Sequence, residues 1–456
     1  MKRILSVFCI LVLATAAAGQ PAVREIKMTV LPAGEPIPSL KYQLLPDLAD
    51  QTPGNGAQLY YLAFIEMEGY EKVKEKVEGW LKMPPKDLPG NEVQEVMAKF
   101  SAALRQVELA AHCERCEWNL PIRSEGLHLR IPPLSRFRDL ARLLAVKARV
   151  EIAAGNFDQA VRTLQIGFAM ARDLGQGPTL IHGLVGVAIA SMMVGQTKEL
   201  IQAPGAPNLY WALTLLPRTI IDLRRGIRYE MGSVYFAFPG LRDLMKGGQL
   251  TKEQWGSVLK GIGEVAGGEN HHAGLGIAAA IAMRTYPAAK RAMIAKGHTP
   301  EEVDKMPVAH VVATHALDAY LRLRDESFKW HFVPYWQAHE AYRRQGQTID
   351  AGSQLEGYPL TMLLPALGRA SLLRAKLERR IAALRCIEAV RMYAAAHKGK
   401  LPASLGDVTD APVPINPVTG TPFGYKAEGN TFTLDAAAMP DCDPKDSTRF
   451  VVTLTN

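Results

Sequence analysis

The segment His112-Cys113-Glu114-Arg115-Cys116 places two thiols three residues apart, directly after an imidazole. A CxxC pair can serve as a redox dithiol, as half of a zinc site or as a haem attachment site. Haem attachment requires a histidine after the second cysteine, where this chain has Glu117. Thioredoxin-like chemistry places the motif after a strand, whereas here a helical pattern precedes it. A zinc site would need further ligands, for which His128, Cys386 and Cys442 are candidates.

A second group of histidines lies between positions 310 and 339. His315 and Asp318 would share a helical face, so the carboxylate could orient the imidazole. With His331 and His339 they form a weak alternative metal site. The zinc-peptidase pattern is incomplete, because Arg343 stands where the second histidine ligand belongs. Core or capping histidines explain the spacing better, and we predict no metal and no other cofactor.

Other motifs that could support chemistry lack the residues that normally accompany them. Ser257 and Lys260 have the SxxK spacing of a serine nucleophile with a lysine base, but the accompanying SDN and KTG motifs are missing. Asp441, Asp443 and Asp446 could offer oxygens to calcium, but the glycine and the terminal glutamate of an EF-hand loop are missing. We therefore name no catalytic residue and expect the three aspartates to lie in a solvated loop.

Helical periodicity dominates the chain from Gln58 to His397. Glycine and proline interrupt it at short intervals, which indicates many antiparallel helices rather than one long bundle. The fold class predicted is mainly α, an irregular antiparallel helical array. Residues 139–154 and 158–174 form a predicted helical hairpin. Its turn, Gly155 to Val161, resembles a tetratricopeptide repeat, in a single copy where a solenoid needs about three.

The composition changes at Gly399, where a helix beginning near Leu372 ends and a turn-rich tail follows. Alternation around Gly429-Asn430 predicts a β-hairpin, and Arg449 to Thr455 could add a third strand. Residues 24–30 form another short candidate strand. These patterns predict an α-helical domain at 20–365 and a second piece at 366–456, a long basic helix plus a small α+β tail.

Two tail segments, Leu401 to Leu405 and Asn416 to Tyr425, together with the preceding helix and the hairpin, resemble the head of the major pseudopilin of type II secretion. In pseudopilins this helix begins the chain after a prepilin-peptidase site, whereas here the helix is internal. The resemblance therefore implies a shape for the tail and no role in secretion.

A wider resemblance covers most of the chain. Cys116-Glu117-Trp118, Gly177 to Ile181 and Pro204-Gly205-Ala206-Pro207-Asn208-Leu209-Tyr210-Trp211-Ala212-Leu213 are similar to segments of a family of exported helical bacterial proteins with no assigned activity. The resemblance implies a helical fold and export, and it supplies no reaction.

The first residues have the pattern of a secretory signal peptide. Lys2 and Arg3 precede an apolar run that ends in small residues near Ala18. We predict a signal peptide at 1–19, a periplasmic or extracellular protein, and no stable membrane span after cleavage. In an oxidising compartment, Cys113 and Cys116 are candidates for a disulfide, although two unrelated thiols would fit the sequence equally.

The chain carries 53 Lys and Arg against 45 Asp and Glu, a net charge of +8. The surplus lies on the helix between residues 366 and 398, which a solvated basic face would explain. Export argues against nucleic acid as a partner, which leaves an unidentified envelope protein or an anionic polymer. The function expected is binding or scaffolding in the cell envelope. The alternative is an envelope hydrolase, with or without a metal ion.

Overall fold

The computed structural model describes residues 23–125, 129, 131, 133–238, 240–246, 248–267, 270–348, 360–363, 367–439 and 442–455. The signal peptide predicted at 1–19, His128 and Asp441 lie outside these described residues. The chain forms two compact units. The main unit joins Pro21–Asn119, Ile131–Gly226 and Arg369–Asn456, and the helical unit joins Leu120–Arg130 and Ile227–Gly368.

Most described residues are helical, as the sequence predicted. The helices are α1 Gly56–Ile65, α2 Lys74–Trp80, α3 Gly90–Lys99, α4 Ser101–Ala111, α5 Ile122–Glu125, α6 Leu134–Ala153, α7 Phe157–Gly175, α8 Leu180–Gln202, α9 Tyr210–Thr214, α10 Arg224–Ala237, α11 Leu241–Met245, α12 Lys252–Gly267, α13 His271–Ala295, α14 Pro300–Lys305, α15 Val308–Phe328, α16 Tyr335–Thr348 and α17 Leu367–Ala396. Short 3-10 helices cover Leu48–Asp50, Tyr70–Lys72, Pro85–Asp87, Lys329–Phe332, Leu360–Leu363, Leu405–Asp407 and Pro444–Asp446. The strands are β1 Arg24–Val30, β2 Thr52–Asn55, β3 Cys113–Arg115, β4 Gly424–Glu428, β5 Thr431–Ala436 and β6 Thr448–Leu454.

The predicted hairpin is present as α6 and α7 of the main unit. Gly155 ends α6 in the left-handed region, with φ 72°, and the Asn156 amide donates to the Glu151 carbonyl at 2.9 Å. This glycine-terminated helix end reverses the chain without steric cost. Helix α8 then packs on both helices of the hairpin.

Helix α8 is long and apolar enough to cross a membrane by length and composition, but 61% of its most apolar window is buried in the protein. A side chain at Gly186 would lie 2.8 Å from the Ala171 carbonyl oxygen, so glycine permits the close approach of α7. This packing is that of a core helix.

The main unit contains a four-stranded sheet in the order β1-β6-β5-β4. The predicted hairpin is β4 and β5, and β6 is the predicted third strand. Strand β1, near the N-terminus, lies parallel to β6 at the other end of the chain, with Met28 opposite Val452. The tail therefore shares its sheet with the beginning of the chain. The helical unit ends at Gly368, close to the predicted boundary at residue 365, but the residues before it do not form a single domain, because Pro21–Asn119 and Ile131–Gly226 belong to the same unit as the tail. Pairing between strands more than 400 residues apart leaves no local sequence pattern.

The basic residues of α17 are not a solvated face, which corrects the expectation from the sequence. Arg391 is 1% and Arg379 is 4% exposed. Arg379 donates to the carbonyl oxygens of Ala437 at 3.1 Å and Asp446 at 2.5 Å. The physical reason is that irregular segments packed against this helix present carbonyl groups, and guanidinium groups satisfy them.

The helical unit is built around contacts among α12, α13 and α15. Its larger buried cluster includes Val234, Phe238, Val258, Leu317 and Tyr320. A smaller cluster joins Ala289, Met293, Val303 and Val311.

Candidate functional site

A polar cleft of about 530 Å³ opens on the main unit beside the CxxC motif. Three parts of the chain form it: the segment before β2, the end of α4, and the first half of α7. The lining residues are Lys41, Tyr42, Gln43, Asp47, Asp50, Glu108, His112, Asp158, Val161, Arg162, Gln165 and Ile166. A cleft of this volume can enclose part of a small polar molecule or a short stretch of polymer.

One wall is the extended segment 41–50, which α7 holds by side-chain hydrogen bonds. Gln165 Nε2 donates to the carbonyl oxygens of Gln43 at 3.4 Å and Leu45 at 3.0 Å. Tyr42 Oη donates to Asp158 Oδ1 at 2.9 Å, and Lys41 Nζ lies 3.4 Å from the same oxygen. These hydrogen bonds fix the wall in place, and its regular secondary structure is limited to the short 3-10 helix Leu48–Asp50.

The opposite wall is the C-terminal turn of α4, which carries His112. The Nδ1 atom of this half-buried histidine lies 2.8 Å from the Glu108 carbonyl oxygen. A carbonyl can only accept, so Nδ1 carries the proton of the neutral ring and Nε2 is an acceptor. The imidazole is thus held in one tautomer at the edge of the cleft.

Behind this wall lies a buried polar cluster around Asp173. Arg172 donates to Asp173 Oδ1 from Nε at 3.1 Å and from Nη2 at 2.9 Å, and Tyr60 Oη donates to Oδ2 at 3.0 Å. Trp118 Nε1 donates to the Asp173 carbonyl at 3.1 Å. All these bonds satisfy groups within the protein, so the cluster stabilises the fold and offers no open position to a substrate.

Cys113 and Cys116 are both buried free thiols, and the predicted disulfide between them is not formed. Residues 113–115 are the extended strand β3, paired with β2. Cys113 Sγ donates to the Leu109 carbonyl oxygen at 3.5 Å, and Cys116 directly follows the strand. Burial and the nearby Asp173 carboxylate raise the pKa of both thiols, which disfavours the reactive thiolate.

We expect both thiols to remain reduced in the folded protein, even without reductant, because both are buried and their raised pKa values disfavour the thiolate that would react. Mass spectrometry after alkylation in denaturant should find both cysteines alkylated. Native protein should react much more slowly, since both side chains are 7% exposed. Recovery of a peptide containing a Cys113–Cys116 disulfide would contradict this expectation.

Burial raises the pKa of Asp173 to about 6, which outweighs the opposing effect of Arg172. The folded state therefore binds this proton more tightly than the unfolded chain. The resulting stabilisation is complete below the unfolded pKa near 3.8 and is lost as the pH rises through 6. Burial also lowers the pKa of the neighbouring His182 to about 4, so this ring is neutral at higher pH.

Asp173→Asn should remove this pH dependence while keeping a hydrogen-bonding side chain. Relative to the wild type, the variant should gain on the order of 2 to 3 kcal/mol between pH 4 and pH 7. Urea unfolding at several pH values, monitored by hydrogen exchange in α7, measures this difference in the free energy of unfolding. A constant difference across this range would show that Asp173 does not titrate there.

The structure does not assemble the alternative metal site. Asp318 forms an ion pair with Lys296, and His331 and His339 contact Tyr342 and Tyr335, each at 3.1 Å. Among the described residues, no three His, Cys, Asp or Glu side chains are grouped so that they could hold a metal ion. His315 lies buried on α15. Asp318, His331 and His339 thus interact with lysine and tyrosine side chains and do not form a common metal centre.

The structure also places the residues of the remaining motifs. Ser257 and Lys260 both point to solvent from α12. Asp443 pairs with Lys445 at 2.6 Å and Asp446 with Lys376 at 2.5 Å, so lysines occupy the carboxylates that were considered for calcium. In the aromatic stretch at 328–336, Phe328 and Tyr335 are buried, whereas Phe332 is 46% and Trp336 is 40% exposed.

Sequence reasoning identified His112 as part of a motif but missed the rest of the cleft. The sequence pattern placed Asp158 in the predicted hairpin without a functional role, and it gave no signal at Lys41 or Tyr42. Asp158 lies more than 100 positions from Lys41 and Tyr42 in the chain, so no sequence motif groups the three residues. The one local signal was an aspartate in the first turn of α7, where a carboxylate is favoured by the helix dipole.

Comparison with protein-family models, with curated proteins and with solved structures finds no match to this chain.

Proposed function

We propose that this chain is an exported protein of the cell envelope that binds a polar ligand in the cleft between the 41–50 segment and α4. The observation that carries the proposal is the cleft itself, where charged and polar groups from three chain segments converge on one open cavity. The signal-peptide pattern at 1–19 supports export, and so does the resemblance to exported helical bacterial proteins.

Binding is favoured over catalysis because of what the cleft contains. It holds an imidazole fixed in one tautomer and several carboxylates, but no serine, threonine or cysteine among its lining residues. The metal site considered for the alternative, an envelope hydrolase, adds no support to it, because the described residues that suggested this site are not brought together.

Hydrogen exchange in the presence of an envelope extract tests the proposal. Using the bacterium that encodes the protein, we expect protection of residues 41–50, 105–112 and 158–166 and none of α3, which serves as an internal control. Filling the cleft with Val161→Trp should abolish the protection. Protection that persists in this variant, or that falls outside the cleft, would refute the proposal. Sequencing the N-terminus of the exported product tests the predicted cleavage near residue 19.

A further inference from the structure

The charge of the cleft is opposite to that of the whole chain. The chain carries a net charge of +8. The cleft is lined by four carboxylates and two permanent cations: Asp47, Asp50, Glu108 and Asp158 against Lys41 and Arg162. A concave surface lined by one sign of charge concentrates ligands of the other sign. The local reversal therefore indicates that the ligand brings positive charge.

Two of these carboxylates are already used by the protein. Asp158 accepts from Tyr42 and pairs with Lys41. Asp47 accepts from the Ala49 amide at 3.1 Å and from Gln43 Nε2 at 3.1 Å. Asp50 and Glu108 are different, because both are exposed and have no ion pair within the described part of the chain. These two carboxylates remain open to a ligand.

The other open groups favour a donor as well. In the neutral ring of His112, Nε2 is an acceptor, because Nδ1 donates to the Glu108 carbonyl. Leu48 does not line the cleft, but it stands between the lining residues Asp47 and Asp50 and is 83% exposed, so it offers apolar surface to the aliphatic stem of a long basic side chain. Arg162 is an exposed donor that suits a peptide carbonyl. Together these groups are complementary to a basic side chain and to the peptide backbone that carries it.

We propose that the cleft binds a lysine or arginine side chain of an extended polypeptide, with Asp50 and Glu108 as its anionic partners. This inference rests on the proposed function, since it names the ligand of the same cleft. The neutral hydroxyls of a glycan would leave both carboxylates without a counter-charge, and an acidic peptide would meet repulsion.

Fluorescence anisotropy with the full chain tests the inference. The probes are fluorescein-labelled peptides of alternating lysine and alanine, the same peptides with glutamate for lysine, and a labelled neutral oligosaccharide. The lysine peptide should bind at least about tenfold more tightly than the others, and its affinity should fall as salt is added. The double variant Asp50→Asn, Glu108→Gln should weaken it by about tenfold or more, while Glu95→Gln, an exposed acid on α3, should leave it unchanged.

The outcomes separate the ligand class from the function. If the glutamate peptide or the oligosaccharide binds instead, and Val161→Trp abolishes that binding, the cleft is a binding site and the cationic ligand is wrong. If no probe binds in a way that depends on Val161, the inference is wrong, and the hydrogen-exchange experiment decides the proposed function separately. Hydrogen exchange of α4 and α7 in each variant verifies that the fold is intact, which matters most for Val161→Trp because Val161 is only 4% exposed.

Discussion

Replacing Glu388 with alanine is expected to destabilise the main unit by about 3 to 5 kcal/mol, because it leaves a buried guanidinium without its counter-charge. Glu388 is 0% and Arg391 is 1% exposed, and Oε2 lies 2.7 Å from Nη1. Glu388 Oε1 also accepts from the Leu209 amide at 3.1 Å. The substitution therefore removes partners from two buried donors at once.

The same pair connects distant parts of the main unit. Arg391 donates to the carbonyl oxygens of Leu31 at 2.8 Å and Ala206 at 3.1 Å. Asn208 Nδ2 donates to the carbonyl oxygens of Ala33 at 3.0 Å and Glu388 at 2.9 Å. The segment after β1, the loop before α9 and helix α17 are thus joined by one satisfied polar network. This network gives a structural role to the Pro204 to Leu213 segment that carried the family resemblance.

Urea unfolding followed by hydrogen exchange of peptides from β5 and β6 measures the effect. Glu428→Ala provides the matched control, because it removes an acid from the exposed pair with Lys426, whose atoms also lie 2.7 Å apart. Water screens that pair, so its loss should leave the midpoint nearly unchanged. Equal responses in the two variants would show that burial of Glu388 does not determine stability here.

A fragment of residues 366–456 is expected to be largely unfolded in isolation, although the sequence suggests that this piece folds on its own. Helix α17 is buried on most of its circumference, including Leu377, Ala383, Ile387 and Val390. The small sheet can cover one side only. The fragment also lacks β1, which supplies the edge strand beside β6, and the carbonyl partners of Arg391.

Amide resonances of the labelled fragment measure this directly. Alone, it should give the narrow dispersion of an unfolded chain. Adding a second fragment, residues 20–226, should restore dispersed resonances, since it provides β1 and the loop at 206–210. Wide dispersion in the isolated fragment would show that α17 and the three-stranded sheet suffice. In that case the boundary predicted from the sequence would stand as a folding boundary.

Local patterns determined the parts of this fold that depend on neighbours in the chain. Helical periodicity predicted a mainly α protein, the glycine turn at Gly155 predicted the α6–α7 hairpin, and Gly429-Asn430 predicted the β4–β5 hairpin. Each of these follows from backbone preferences within a few residues, and each is present in the structure. The strand at 24–30 was also predicted, but its partner was not.

Contacts between distant residues decided the rest. The pairing of β1 with β6, the inward-facing Arg379 and Arg391, and the cleft around His112 all depend on segments more than 40 residues apart. The charge pattern along one helix does not show whether an arginine is hydrated or donates to a buried carbonyl group. For the same reason, the CxxC spacing made Cys113 and Cys116 candidates for a disulfide, and only the tertiary structure shows two buried free thiols.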